Sequence, residues 1–288
     1  MSALTRSLAE PSPVLLGSDR RRRALVTGAV VVTVLAAILL GGVLLSDAAG
    51  RIDLTARRQP PSLRHLFGTD WLGRDLFART VVGLRLSLLV GTVAAAVSAV
   101  IALLLAAAAA ALGRWTDAVV GWLVDLFLSL PHLVLLILVA FAAGRGLRGV
   151  VIAVALTHWP SLTRLLRAEA RRVVASDYVA VARRLGSSGP QIARRHVLRH
   201  LVPQFSVGLV LLFPHAVLHE AALSFLGFGL PPDSPAIGII LSDSMRELSA
   251  GAWWLALLPG LALLAMVKTV DVLGEQARAL IDPRSRHT

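Results

Sequence analysis

The chain has 288 residues, 56% of them hydrophobic and only 16% charged, which is more apolar side chain than the core of one water-soluble domain can hide. Its 29 basic residues, all Arg except Lys268, outnumber 17 acidic ones for a formal net charge of +12, a balance suited to an anionic lipid surface or a nucleic acid. With no cysteine, disulfide frameworks, thiolate metal sites, thiol nucleophiles and iron–sulfur clusters are excluded.

A helix crosses the hydrocarbon core with roughly 20 apolar residues, and the chain offers about six such runs, which makes it an all-α polytopic membrane protein. Leu25 to Leu45 and Leu86 to Gly113 carry no charge. Ala118 to Gly144 contains Asp125 alone, and Gly149 to Thr163 is short enough to need Arg164 and Arg167 to snorkel. Leu201 to Leu230 is apolar apart from Glu220, and Leu248 to Val267 has Trp253 and Trp254 near one end, where interfacial aromatics belong. The expected organisation is a tail over 1–24, a first span over 25–45, an external loop over 46–85, a five-helix core over 86–274 that includes a cytoplasmic segment at 169–204, and a tail over 275–288.

The run Arg20 to Arg23 before the first span places the N-terminus in the cytoplasm by the positive-inside rule, and six spans return the C-terminus to the same side. The cytoplasmic segment then holds Arg171, Arg172, Arg183, Arg184, Arg194, Arg195 and Arg199 against Glu169 and Asp177, as the rule asks. The first external loop opposes it, with Arg51, Arg57, Arg58, Arg64, Arg74, Arg79 and Arg85 against Asp47, Asp53, Asp70 and Asp75.

From Asp177 to Pro203 the sequence reads as helix, turn, helix: Asp177 caps a helix with Val179, Val181, Ala182 and Leu185 on one side, Gly186 stops it and Pro190 starts the next. Such a helix between two spans needs a lipid interface or a partner protein over its apolar face. The segment resembles the cytoplasmic loop of ABC importer permeases, with Ala180, Val181 and Ala182 in place of the Glu-Ala-Ala triplet, Gly186 as the glycine and Pro203 as the distal proline. The triplet Glu is absent here, and Asp177 or Arg183 stands near enough to compensate. The resemblance implies that Asp177, Tyr178, Ala180, Ala182, Gly186 and Pro203 belong to a coupling helix seated in an ATPase subunit.

Two further stretches narrow the resemblance. His65-Leu66-Phe67-Gly68-Thr69-Asp70-Trp71-Leu72-Gly73-Arg74-Asp75, and Glu220 to Pro232, are similar to segments of the "C"-type permease subunits of dipeptide, oligopeptide and nickel importers; Trp253 to Gly260 and Asp282-Pro283-Arg284 match as well. The pattern departs at Pro235-Ala236-Ile237-Gly238 and at Asp271 and Glu275. The resemblance implies a type I permease fold in a bacterial inner membrane with both termini cytoplasmic. It also implies a homologous second permease, two ATP-binding subunits that supply ATP and Mg, and an extracytoplasmic substrate-binding protein.

In the fifth span His215 and His219 share a helix face and Glu220 adjoins them. They are candidates for the translocation pathway, and the two imidazoles for holding a borderline divalent ion such as nickel or zinc; the alternative is that they hydrogen-bond to neighbouring helices, with Glu220 a structural partner of a polar group. Asp125 is expected to pair with an Arg of a neighbouring helix or with Arg114. Pro131, Pro160, Pro214 and Pro259 interrupt helix hydrogen bonding in or near four spans.

No GxxxxGK[ST] stretch occurs, so ATP hydrolysis is expected in separate subunits and no cofactor or enzymatic activity in this chain. Peptide and metal chelate stand level as substrates. The rival readings are a secondary or proton-coupled transporter using Asp125, Glu220 and the histidines, and a membrane-anchored nucleic-acid binder using the Arg-rich loop. Partner contact and cytoplasmic retention explain those arginines with fewer assumptions, so no nucleic acid is expected.

Overall fold

The computed structural model describes residues 13–281; residues 1–12 of the N-terminal tail and the Asp282-Pro283-Arg284 match lie outside them. Eleven α-helices follow in order: α1 Pro13–Leu44, α2 Ser46–Gly50, α3 Leu76–Ala111, α4 Arg114–Ser129, α5 His132–Ala142, α6 Leu147–Val174, α7 Asp177–Arg184, α8 Gly189–Ile192, α9 Leu198–Phe225, α10 Ile237–Met245 and α11 Trp254–Ile281. Among the described residues there is no β-strand beyond a single bridge between Thr69 and Asp75. Among the described residues five helices are long and apolar enough to cross a membrane, and α4 with α5 makes a sixth span if the bent pair is counted as one.

The span expected over Ala118 to Gly144 is broken. Leu130 is extended (φ −83°, ψ 143°) because the residue before a proline is pushed out of the helical region, and Pro131 then opens α5, so α4 and α5 meet at 100°. The short fourth span is corrected in the other direction: α6 runs 28 residues, about 42 Å at the helical rise, which exceeds the hydrocarbon thickness and lets Arg171 and Arg172 emerge at its end. The second span starts at Leu76, ahead of the charge-free run, because Asp75 caps it by accepting from the Ala78 amide at 2.8 Å. Pro160, Pro203, Pro214 and Pro259 lie inside continuous helices.

At the centre α3 packs against α6 and α9. Its inward face carries Ser87, Ala94, Ala95, Ser98, Ala99 and Ala102, all at 1% exposure or less; small side chains let helix backbones approach closely where lipid provides no hydrophobic drive for association. The Ser98 hydroxyl donates across to the Ala155 carbonyl at 3.0 Å. Leu25, Leu40 and Leu44 of α1 face outward, as a lipid-facing surface does.

The bundle has two ends. At one, the 51–75 loop, the α5–α6 turn and the α9–α10 connection meet, with the Gly146 amide donating to the Gly229 carbonyl at 3.0 Å. At the other lie the close of α3, the α6–α9 segment, and the paired Thr27 and Gln276 side chains of α1 and α11, 3.1 Å apart.

The 65–75 signature is a structural knot. Asp70 accepts from the Leu72 and Arg74 amides at 2.8 and 2.9 Å, from Arg74 Nε at 2.7 Å and from the buried Arg79 guanidinium. Gly73 (φ +76°) passes so close to the 51–56 turn that a Cβ would stand 1.7 Å from the Asp53 carbonyl oxygen. The excess of arginine expected in this loop is offset by structure: Arg74 and Arg79 share Asp70, and Arg58 pairs with Glu247 at 2.7 Å.

Candidate functional site

The break at Pro131 leaves His132 as the first residue of α5, where it meets His158 of α6 and His219 of α9. The three rings pack edge to face, with centroids 4.7 Å (His132–His158), 4.7 Å (His132–His219) and 4.9 Å (His158–His219) apart. One ring nitrogen from each lies within 4.8 Å of the other two. His158 is buried, and the other two are half-buried.

Helix carbonyls fix two of the rings. His158 Nδ1 lies 2.9 Å from the Val154 carbonyl and His219 Nδ1 2.8 Å from that of His215, so each Nδ1 carries the hydrogen and each Nε2 keeps a lone pair. His219 Nδ1 also lies 3.3 Å from His158 Nε2, a long second contact for the same hydrogen.

The expected pairing of His215 with His219 is not what the fold makes. His215 is exposed, and its ring bonds back to the Leu211 carbonyl of its own helix at 3.1 Å, so its side chain stays outside the cluster and only its backbone oxygen serves it. Glu220 also turns away: fully buried, it accepts from Ser87 at 2.6 Å and Ser224 at 3.0 Å, joining α9 to α3 rather than to the histidines. Sequence reasoning missed His132 and His158. Each lies within two residues of a span proline, in Pro131-His132 and His158-Trp159-Pro160, and that proximity was the available signal.

The second candidate region is α7. Ser176, not Asp177, is its N-cap, and Asp177 lies in the first turn, where a carboxylate favours the helix dipole. The apolar residues do not share one side: Val179 is fully buried against the α6 and α9 ends, while Tyr178, Val181 and Leu185 are 44%, 55% and 81% exposed. Ala180, in the position of the absent Glu, is exposed, and Ala182 is half-buried. Gly186 ends the helix in the left-handed region (φ +88°), and α8 follows with a Ser188–Gln191 capping box. Tyr178 stacks on His200, centroids 6.2 Å apart. A widened π-turn, Ala193–Val197, leads into α9, which places Pro203 inside a continuous helix rather than at a loop end.

Charge clusters beside α7. Asp117 of α4 pairs with Arg167 and Arg171 of α6; Asp125 pairs with Arg164 of α6 at 2.7 Å, the neighbouring-helix partner expected for it. A cavity of about 450 Å³ there is lined by Ala106, Ala110, Arg114, Asp117, Arg167 and Arg183, among others.

A bundle of apolar spans with one broken helix, and with an exposed amphipathic helix between two spans, defines a multi-pass membrane transport subunit. The chain belongs to the family of binding-protein-dependent transport system inner membrane components, which matches residues 98–287, and it has the all-helical type I ABC permease fold that the sequence implied. It is 36% identical over 276 residues to a putative peptide transport system permease protein of Brucella suis biovar 1 (strain 1330), covering 95% of this chain and 93% of that protein. A putative peptide permease protein of the same strain is 35% identical over 96% of this chain and 93% of its own. The probable D,D-dipeptide transport system permease protein of Escherichia coli (strain K12) is 36% identical over 81% of this chain and 78% of its own.

Proposed function

We propose that the chain is one of the two transmembrane subunits of an ATP-driven importer of dipeptides or oligopeptides, with both termini in the cytoplasm of a bacterial inner membrane. A homologous second permease completes the pathway, an extracytoplasmic binding protein delivers substrate to the end formed by the 51–75 loop, and two ATP-binding subunits holding ATP and Mg dock at the opposite end. The peptide assignment rests on relatives named as peptide permeases that match over nearly the whole chain. Nickel, as a chelate, stays within the proposal on the histidine cluster alone.

The observation that carries the ATP-driven reading is α7. Tyr178, Val181 and Leu185 recur at helical spacing and stand exposed beside Arg183 and Arg184, while buried Val179 anchors the same helix to the spans. A helix so fixed on one side and bare on the other passes rigid-body motion from a bound subunit into α6 and α9. Closing of the ATPase dimer pulls on this helix and turns the pathway outward.

The test is uptake of a labelled dipeptide, beside labelled nickel with and without chelator, in cells expressing the whole operon. Leu185→Asp, on a side chain 81% exposed, should abolish ATP-dependent uptake while leaving the protein in the membrane at normal level. Uptake that persists in that variant, or without the ATPase subunits, would replace this reading with a secondary transporter.

A further inference from the structure

We infer that His132, His158 and His219 bind a borderline divalent transition-metal ion of the nickel, zinc, copper or cobalt class, with a coordination position left open to a carboxylate or amine of a peptide-like solute. The inference deepens the peptide reading above and rests on it only for the identity of that solute.

Three features carry it. First, the cluster is built from separate elements: the start of α5 at the Pro131 break, the middle of α6 and the last third of α9 supply one ring each, and one nitrogen of every ring falls within 4.8 Å of the others. A shift of the rings by about an ångström brings three nitrogens to the roughly 2 Å ligand distance of such ions. Discontinuous membrane helices are where transporters place ion sites.

Second, the tautomers are already those of ligands. A metal-bound imidazole commonly donates its other N–H to a backbone carbonyl, which fixes ring orientation and raises basicity. His158 does so to Val154 and His219 to His215, leaving Nε2 of each without a hydrogen. The long His219–His158 contact at 3.3 Å is the interaction an entering ion would displace.

Third, the shell is incomplete in an informative way. Imidazole donors without thiolate or carboxylate select borderline ions over magnesium or calcium. The neighbouring carboxylate, Glu220, is held away by Ser87 and Ser224, so the ion keeps its full charge, which is costly inside a membrane. That makes the site weak, as passage requires, and makes an anionic or amine donor from the solute the natural fourth ligand. His132 and His219, both half-buried, leave access for it.

The experiment uses the whole importer, purified from its operon in lipid nanodiscs and titrated with cobalt(II), read by visible absorption, and with nickel(II), read by bound-metal analysis. The expected result is one ion per copy of this chain, with affinity reduced about tenfold or more in His132→Gln, His158→Gln and His219→Gln, and kept within about twofold in His215→Ala, which retains the backbone carbonyl. Thermal midpoints without metal identify any variant that fails to fold; for such a variant, cobalt absorption of the wild type decides, since nitrogen-ligated cobalt of low coordination number differs from the hydrated ion. No ion bound to the wild type, or loss in His215→Ala with retention in His132→Gln, would overturn the inference. Dipeptide uptake is measured in parallel: uptake without metal binding leaves the peptide reading standing and removes the site, whereas metal binding without peptide uptake keeps the site and removes the reading.

Discussion

Ser87 of α3 donates to Glu220 of α9 across 2.6 Å, with both side chains fully buried. The contact joins α3 to the last third of α9, and Ser224, one turn on from Glu220, donates to its other oxygen at 3.0 Å. Removing the acceptor strands two hydroxyls at a site closed to water. Glu220→Ala should lower the thermal midpoint in nanodiscs by an amount equivalent to about 1–3 kcal/mol, while Glu220→Gln, which keeps an acceptor oxygen, should lose less. Equal melting of all three proteins would show the contact to be energetically idle.

Asp70 and Arg79 form the other buried tie. Arg79 is 2% exposed and Asp70 3%, so Asp70→Asn takes from the buried guanidinium the carboxylate it is bonded to, at a cost of about 3–5 kcal/mol. Pairing it with Arg79→Met removes the stranded charge and should recover part of that loss. A double variant no more stable than Asp70→Asn alone would mean that the knot depends on the backbone bonds of Asp70 rather than on the ion pair.

On the proposed coupling role of α7, Gly186 and Leu185 separate coupling from folding. Gly186→Val forces a branched residue into a left-handed backbone, at about 1–2 kcal/mol, although no neighbour lies within 4 Å of a new Cβ. We expect assembled complexes with reduced transport-coupled ATP hydrolysis. Leu185→Asp should abolish ATP-dependent uptake with no change in melting, because its side chain, 81% exposed, touches little of this chain.

Asp53 gives a pH signature outside the membrane. The Thr55 hydroxyl, then its amide, hold the Asp53 carboxyl below its ordinary range. A lowered folded-state value contributes stability above the unfolded value near 4, and that contribution is lost as pH falls through the folded one. Thr55→Val, which keeps the amide bond and deletes the hydroxyl bond of 2.5 Å, should flatten the fall in thermal midpoint between about pH 5 and pH 3. A fall as steep as the wild type's would remove Thr55 as the cause.

Much of the fold was legible because lipid imposes it. Charge-free runs such as Leu25 to Leu45 have to be helices where no water satisfies the backbone, and Gly186 and Pro190 punctuate the following segment by local sterics alone. Helix ends were less legible: α3 begins at Leu76 rather than Leu86 because Asp70 and Asp75 hold Arg79 and the first turn in place, and charge counting reads a buried, paired arginine as a loop residue. The side chains of α7 were assigned to one face from a short window, yet Val179 and Val181 point in opposite directions, one into the bundle and one out.

By itself the sequence determined an all-helical membrane protein, its approximate spans, and the residues that mark it as an importer permease, since hydrophobicity, caps and turns act within a few residues. Only the tertiary structure decided which polar groups meet. His215 and His219 share a helix face, but helix crossing angles and the 100° break at Pro131 bring His132 and His158 to His219 and leave His215 outside. Contacts between residues so distant in the chain depend on how rigid helices stack, a property that no local window of sequence contains.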